Sequence, residues 1–245
     1  YWTAEAAALT DTKPKFRQIK LELNKLTGLC YATDELLEDA QALDAVLTKA
    51  FIAEFDFKLS NAIIRGSGAG QPLGVLNSDG LVTISKEDGQ AAATFVYENV
   101  CKMWARLLPN SRSNSVWLIN ADVLPQLYQM SLAVGTGGAP VFLPSGGANT
   151  SPYSTLFGRP VIPVEHCSTL GTVGDVILGD FSQYLWAEKR SGVKKDVSIH
   201  VRFIYDESVF RFVYRFDGQP VLSSAITPFK GTNTLSHFVK LDART

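Results

Sequence analysis

The sequence predicts an α+β protein in which one long helix carries extended sheet. Three observations predict it. Leu36, Ala40, Leu43, Leu47, Phe51, Phe55, Leu59 and Ile63 recur every three or four residues, which lays one apolar stripe along a helix. Val197, Ile199, Val201 and Phe203 alternate with polar residues. Beyond a turn near Asp206-Glu207, Phe210, Phe212, Tyr214 and Phe216 alternate again, the pattern of a long hairpin that Asp217-Gly218 closes. Helical and strand segments are otherwise mixed without regular βαβ alternation, which points to two lobes joined by chain crossings.

The helix is the organising element. Thr33 or Asp34 caps its start, and acidic residues crowd the first turns, where the helix dipole favours them. Gly66, Gly68 and Gly70 end it, followed by Gln71-Pro72-Leu73-Gly74-Val75-Leu76. Some thirty residues at ~1.5 Å each make a rod of roughly 45 Å. A rod of that length serves as a spine for sheets and neighbours, not as the wall of a small pocket.

The other elements follow in order. Ile19, Leu21 and Leu23 alternate with Lys20, Glu22 and Asn24, which predicts a half-buried strand over about Phe16 to Leu26. No clear antiparallel mate lies upstream, so the expectation is a mate outside this sequence or a mobile arm. A short strand is expected at Leu81 to Ile84, a helix at Thr94 to Leu107, a buried strand at Ser115 to Ile119 and a helix from Val123 to Leu132. Residues 135–155 are rich in Gly, Pro, Ser and Asn, which is loop chemistry. Extended segments follow at Arg159 to Val164, Asp175 to Phe181, Tyr184 to Glu188 and, after the hairpin, Val221 to Ile226. The residues from Thr227 onward show no readable pattern.

Composition narrows the function. The chain has 245 residues, 46% hydrophobic and 19% charged, enough to bury a core. A net charge of −1 shows no basic bias toward nucleic acid, and no apolar run of ~18 residues marks a membrane span. Cys30, Cys101 and Cys167 are odd in number and widely spaced, which reads as reduced thiols. The sequence begins at Tyr1 with no signal peptide visible, so the expectation is a fragment or a processed product.

The ordered motifs resemble those of the phage major capsid protein family with the Hong Kong 97-type fold. Trp2 followed by Glu5 resembles a pattern near the tip of that family's extended loop. The strand to Leu26, then Thr33-Asp34-Glu35-Leu36-Leu37-Glu38-Asp39, resembles the loop's descent into the spine helix. Ala62-Ile63-Ile64-Arg65-Gly66 with Pro72-Leu73-Gly74-Val75 resembles the helix exit. Trp117-Leu118-Ile119-Asn120, Gly158-Arg159-Pro160-Val161, Leu178-Gly179-Asp180-Phe181 and Arg215-Phe216-Asp217-Gly218 match strand ends in family order. The resemblance implies an HK97-like capsid fold. It would have a truncated extended-loop remnant at 1–32, a peripheral domain with the spine helix at 33–90 and 185–228, and an axial domain at 91–184, with the tail 229–245 unassigned.

The function implied is a structural subunit of a phage or prophage icosahedral capsid. Its partners would be copies of itself in hexamers and pentamers, a scaffolding segment, a maturation protease, a portal, and packaged double-stranded DNA bound without sequence specificity. It would sit in the virion capsid, and in the bacterial host cytoplasm before assembly. Trp2, Glu5, Lys20, Glu22, Arg202, Arg211 and Arg215 are the expected assembly contacts. A fragment lacking half of its loop hairpin is expected to stay small. The rival on the same fold is an encapsulin-type nanocompartment shell.

Catalytic chemistry finds little support in the residues. The loop Gly66 to Gly70 lacks the Lys-Ser/Thr step of a phosphate loop and leaves a helix instead of opening one. His166-Cys167 is the one adjacent pair of reactive types, and an α+β hydrolase-like enzyme using it is the rival of another class. Neighbours on an extended strand, however, point to opposite faces. His200 and His237 are scattered, which gives no metal-ligand spacing, and no cofactor is expected. Asp175 and Asp180 flank one strand without being brought together by sequence. Asn149-Thr150-Ser151 fits a glycosylation triplet that arises readily by chance. No lysine and asparagine could be matched as an isopeptide pair.

Overall fold

The computed structural model describes residues 2–8, 11, 13, 16–39, 43–132, 139–140 and 155–245. In chain order the strands and helices are β1 (Asn24–Thr33), α1 (Asp34–Asp39), α2 (Leu43–Arg65), β2 (Val82–Ile84), α3 (Tyr97–Arg106) and β3 (Val116–Ile119). There follow α4 (Leu124–Gln129), β4 (Ser131–Leu132), β5 (Ala139–Pro140), β6 (Thr155–Leu156), β7 (Arg159–Pro163) and β8 (Val176–Gly179). The last four are β9 (Tyr184–Glu188), β10 (Lys194–Arg202), β11 (Glu207–Pro220) and β12 (Phe238–Leu241).

Two sheets share one helix. The first has the order β1-β11-β10, with β9 also on β11. The second has the order β2-β12-β8-β3-β7-β6. Helix α2 is 23 residues long, so at ~1.5 Å per residue it runs about 35 Å. Its first half lays Leu43, Leu47, Phe51 and Phe55 on the first sheet, beside Cys30, Phe210 and Phe212. Its second half sends Ile63 and Ile64 against Val75, Leu118, Ile177 and Phe238 of the second. The expected stripe is therefore real from Leu43 onward. Leu36 is exposed, and Ala40 lies outside the described residues.

The aromatic contact under α2 fixes its seat. Phe51 stacks on Phe212 with ring centroids 4.4 Å apart and meets Phe55 edge-on at 6.4 Å. Gly28 of β1 lies beneath the Phe51 ring, and a Cβ there would sit 2.6 Å from it. The helix ends where expected, at Arg65, but through close approach more than through turn geometry. Gly66 N donates to Ala62 O and Gly74 N donates to Gly66 O, each at 2.8 Å. A Cβ on Gly66 would fall 2.1 Å from Pro72 O. Asn77 Nδ2 donates to the Arg65 and Gly66 carbonyls at 2.8 and 3.0 Å, satisfying acceptors that a helix end leaves open.

Several expectations need correction. The first strand is Asn24–Thr33, not Phe16 to Leu26. Its mate is neither upstream nor missing, because all ten residues pair with β11, from Asn24 against Phe216 to Thr33 against Glu207. The period of two at Ile19 to Leu23 belongs to an arm tied to the far end of β11. Glu22 N and Asn24 Nδ2 donate to Asp217, and Arg17 donates to Val221 O at 2.8 Å. The helix after β3 stops at Gln129. Phe203 opens a 3₁₀ turn, Phe203–Tyr205, instead of continuing β10. Val221 to Ile226 forms no strand, only a bridge from Ile226 to Leu235. Most of the 135–155 loop, with its Asn149-Thr150-Ser151 triplet, lies outside the described residues.

The largest surprise is the tail. β12 lies inside the second sheet, parallel to β2 and antiparallel to β8. Val239 and Leu241 are fully buried among Val100, Met103, Leu107, Trp117, Ile119 and Leu178. Arg244 then anchors the end. Its guanidinium pairs with the Asp175 carboxylate, both side chains being 0% exposed, and Nη1 lies 3.1 Å from Oδ1. Its N–H donates to Gly171 O at 2.8 Å, its carbonyl accepts from Ala93 N at 2.9 Å, and Gly171 N donates to Asp175 Oδ2 at 2.9 Å.

Three measurements check this account. Gly28→Val must displace a ring held on its far side by Phe212, and overpacking of this kind costs about 1–3 kcal/mol in chemical denaturation. Arg244→Met leaves the Asp175 carboxylate buried without its cation, for a loss of about 3–5 kcal/mol in the same assay. His237 is half-buried, and its Nδ1 is 2.6 Å from Ser111 Oγ. Burial, opposed in part by Asp180, lowers its pKa from the ordinary 6.5. The unfolded chain therefore takes up the proton first as pH falls through 6.5, and stability drops with it. Thermal melts across that range show the loss, and His237→Gln flattens it.

Candidate assembly surfaces

The outward faces fall into three kinds. The first is apolar. β10 is exposed along its apolar row from Val197 onward, and it leaves its register with β11 after Ser198. Val197, Ile199, Val201, Phe203 and Ile204 are 53, 49, 67, 73 and 85% exposed. Sequence alternation had suggested that this row packs on the spine. Only Val197 and Lys195 lie on the helix side in register, and the hairpin runs on past the helix. The turn closes with Asp206 at φ 55°, held by Asp34 N donating to Asp206 O at 3.1 Å.

The second surface is an apolar trough of about 480 Å³ where α2 meets the second sheet, lined by Phe57, Ile63, Leu118, Ile162, Val164 and Phe181. His166 sits at its rim with its ring 4.5 Å from that of Phe57. Arg65 donates to His166 O and to Ser168 Oγ, the latter at 2.6 Å. Cys167 is buried beneath, and burial pushes its thiol up to about 12. At neutral pH such a thiol stays protonated, whereas a nucleophilic cysteine is lowered below its free value. His166 and Cys167 thus serve as a ring contact and a core side chain. Among the described residues, no group of three or more His, Cys, Asp and Glu side chains is placed to hold a metal ion. No helix among them is long and apolar enough to cross a membrane.

The third surface is charged. On the side of the first sheet away from α2, Arg211 and Arg215 of β11 stand in register with Leu29 and Lys25 of β1. Asp196 and Lys194 of β10 stand opposite Arg211 and Val213. Arg211 pairs with Asp196 at 2.6 Å, and Lys194 does so at 3.0 Å. These two hydrogen-bonding cations hold the Asp196 carboxyl below its ordinary value.

The seven residues singled out from sequence do not gather in one place. Trp2 and Glu5 are exposed in the arm, Trp2 fully so. Lys20 and Glu22 pair with each other on the same arm; that hydrogen bond and its charge raise the lysine pKa and lower the carboxylate's. Arg202 pairs with Glu207 at 3.4 Å and lies over the Tyr31 ring at 4.7 Å, near the hairpin tip. Arg211 and Arg215 belong to the charged face. The apolar tip and Lys189-Arg190-Ser191-Gly192-Val193-Lys194-Lys195 were missed. The second carries its own signal, four cations in seven residues.

Comparison with known proteins agrees with this geometry. The model of the phage capsid family matches residues 1–231. No curated protein sequence matches the chain. Among solved structures, the capsid of a native GTA particle has a TM-score of 0.78 at 19% identity, covering 100% of this chain and 80% of that one. A chain of Microbacterium phage Oxtober96 has a TM-score of 0.63 at 13% identity, covering 91% and 73%. The SrpI encapsulin of Synechococcus elongatus PCC 7942 is more distant, with a TM-score of 0.57 at 10% identity, covering 90% and 73%. With a family match over nearly all of its length and the fold of solved capsid chains, this chain belongs to the phage capsid family, as a structural subunit of a shell.

Proposed function

We propose that the chain forms closed icosahedral shells of hexamers and pentamers around double-stranded DNA, through heterologous contacts between copies. The observation that carries this is the uncovered apolar hairpin tip, Val197 to Tyr205, on a chain that also presents an apolar trough elsewhere. Two different apolar surfaces on one subunit generate rings when the rotation closes. Exposed apolar patches of this size mark interaction sites. Trp2, Glu5, Lys20 and Glu22 on the arm, with Arg202 beside the tip, would lie at subunit borders. Exposed ion pairs among them add only ~0–1 kcal/mol each. Apolar contact and strand addition along the free edges of β1 and β10 would carry the association.

On this reading α2 with the first sheet makes the peripheral lobe, and the second sheet makes the axial lobe. The chain acts on this reading as a structural subunit, with Cys167, the nucleophile suggested by sequence, buried and its pKa raised by that burial. A scaffolding segment, a maturation protease and a portal would complete the assembly, first in the host cytoplasm and then in the virion. The encapsulin alternative is the weaker because its structural likeness is lower than that of the GTA capsid. Portal, protease and terminase genes beside this one decide for the phage reading, and a ferritin-like or peroxidase cargo gene decides against it.

Electron microscopy of the gene's product expressed with its neighbouring protease tests the proposal: closed shells or hexameric rings are expected, and dispersed monomers refute it. Phe203→Ser with Ile204→Ser should abolish particles in light scattering while the subunit's melting temperature stays within a few degrees, because both residues are already in water.

A further inference from the structure

The two ends of the β3–β7 pair carry opposite charge. These strands are parallel, with Trp117 beside Val161 and Ile119 beside Pro163, so both start at one end and finish at the other. Arg112 precedes β3 and Arg159 opens β7. Asp122 follows β3 and Glu165 follows β7, and both are exposed. Val164 N donates to Ile119 O at 2.8 Å, which keeps the two exits side by side. Four residues of strand at ~3.3 Å each separate the ends by roughly 13 Å. Among the described residues, none of these four charges makes an ion pair.

The basic end has the make-up of a contact. Arg159 donates to Ser113 O, and Arg112 lies over the Trp104 ring at 5.5 Å with Nη2 3.4 Å from Trp104 O. Carbonyls thus orient both guanidiniums without neutralising them, and each Nε–H is buried with no acceptor among the described residues. The sequence offers no carboxylate nearby, since no Asp or Glu occurs between Glu98 and Asp122 or between Asp122 and Glu165. Beside the arginines, the Phe157-Gly158 turn joins β6 to β7. Phe157 is 40% exposed and takes φ 52°. An aromatic residue in the left-handed region is strained, and strain of this kind collects where a structure engages a ligand. The surroundings hold it there. Trp104 and Tyr97 of α3 meet the Phe157 ring at 5.5 and 6.2 Å, and Trp117 Nε1 donates to Leu156 O at 3.1 Å. Aromatic and arginine side chains together are the usual anchors of a protein contact.

The acidic end carries the complement. Glu165 stands at the rim of the apolar trough of about 480 Å³, whose walls include Ile162, Val164 and Phe181. Arg65 nearby is occupied by His166 O and Ser168 Oγ. We infer that the Phe157 turn of one copy seats in this trough of a neighbouring copy, with Arg112 and Arg159 facing Asp122 and Glu165 of that copy. The contact is head to tail, the kind that closes into rings. It rests on the shell reading above for the meeting of copies. A second copy is the occupant because the chain's own far end supplies both complements, two unpaired carboxylates and an apolar hollow. The two ends of one copy point apart, so neither can satisfy the other within the same chain.

Sedimentation of the whole chain over a range of concentration and salt tests this. The wild-type protein should associate, and more weakly as salt rises, because exposed charges are screened. Asp122→Lys with Glu165→Lys should weaken association at least about tenfold, since like charges then face each other. Adding Arg112→Glu and Arg159→Glu to that variant should recover most of the loss, because opposite signs meet again with the ends exchanged. Should the fourfold variant melt early, Arg159→Glu with Glu165→Lys repeats the exchange with fewer changes. Phe157→Gly should weaken association by a similar factor while the melting temperature holds within a few degrees, because glycine takes φ 52° without strain. A wild-type chain that stays monomeric overturns the inference, as does an acidic-end variant that associates like the wild type.

The hairpin tip Val197 to Tyr205 of a second copy competes for the same trough. If Phe203→Ser with Ile204→Ser abolishes association while Phe157→Gly and the acidic-end variant leave it unchanged, the tip fills the trough and the inference fails. Microscopy separates this contact from the shell reading. Shells that form equally well from the wild type and from the acidic-end variant refute the contact and leave the shell reading standing. Loss and rescue in sedimentation, with no shells in any preparation, support the contact and refute the shell reading.

Discussion

The seat of Phe51 between Gly28 and Phe212 is the contact on which the rest of this molecule depends. It decides which side of the first sheet is covered. Because β1 has no Cβ at that point, the helix comes close enough to bury Phe55, Phe210 and Phe212. Stacked aromatic pairs contribute ~0.5–1.5 kcal/mol beyond the area they bury. The same contact leaves the other side of the sheet bare. Alternation along β11 then sorts its residues, aromatics toward α2 and arginines toward water.

Helix α2 also joins two cores that would otherwise be independent. Its first half belongs to the aromatic cluster of the first sheet, and its last turn belongs to the cluster around Val75, Ile177 and Phe238. The exit loop welds the junction. Leu73 N donates to Gly218 O at 2.8 Å, and the Tyr184 hydroxyl donates to Leu73 O at 3.0 Å. A force applied to either sheet is therefore passed along one stiff element. That suits a subunit whose neighbours press on it from several directions.

Much of this was legible in the sequence, for a physical reason. Local periodicity records which residues face a core, so α2, α3, β3, β8 and the β10–β11 hairpin stand out. The family resemblance followed from the order of short motifs along the chain. The parts that stayed hidden depend on contacts far apart in sequence. β1 pairs with residues some 180 positions later, and nothing local to Asn24–Thr33 announces that partner. β12 is four residues long and too short to show a period. Arg244 reads as a surface charge until Asp175 is brought to it. Alternation at Val197 to Val201 correctly marked a strand, but periodicity alone cannot say whether an apolar face meets core or water. As for the candidate surfaces, Arg211 and Arg215 stood out as decorations of a strand. Lys25 joined them only through register.

β12 has one more consequence. It is the second strand in the spatial order of its sheet, yet it is made from residues 238–241. A ribosome that has released everything up to Pro220 has supplied all of the first sheet, but β2 and β8 still have no strand between them. Their sheet must wait, open along its middle, for residues 238–241 to emerge. The second sheet of a nascent subunit therefore stays unclosed until residues 238–241 have left the ribosome, long after β2 has done so.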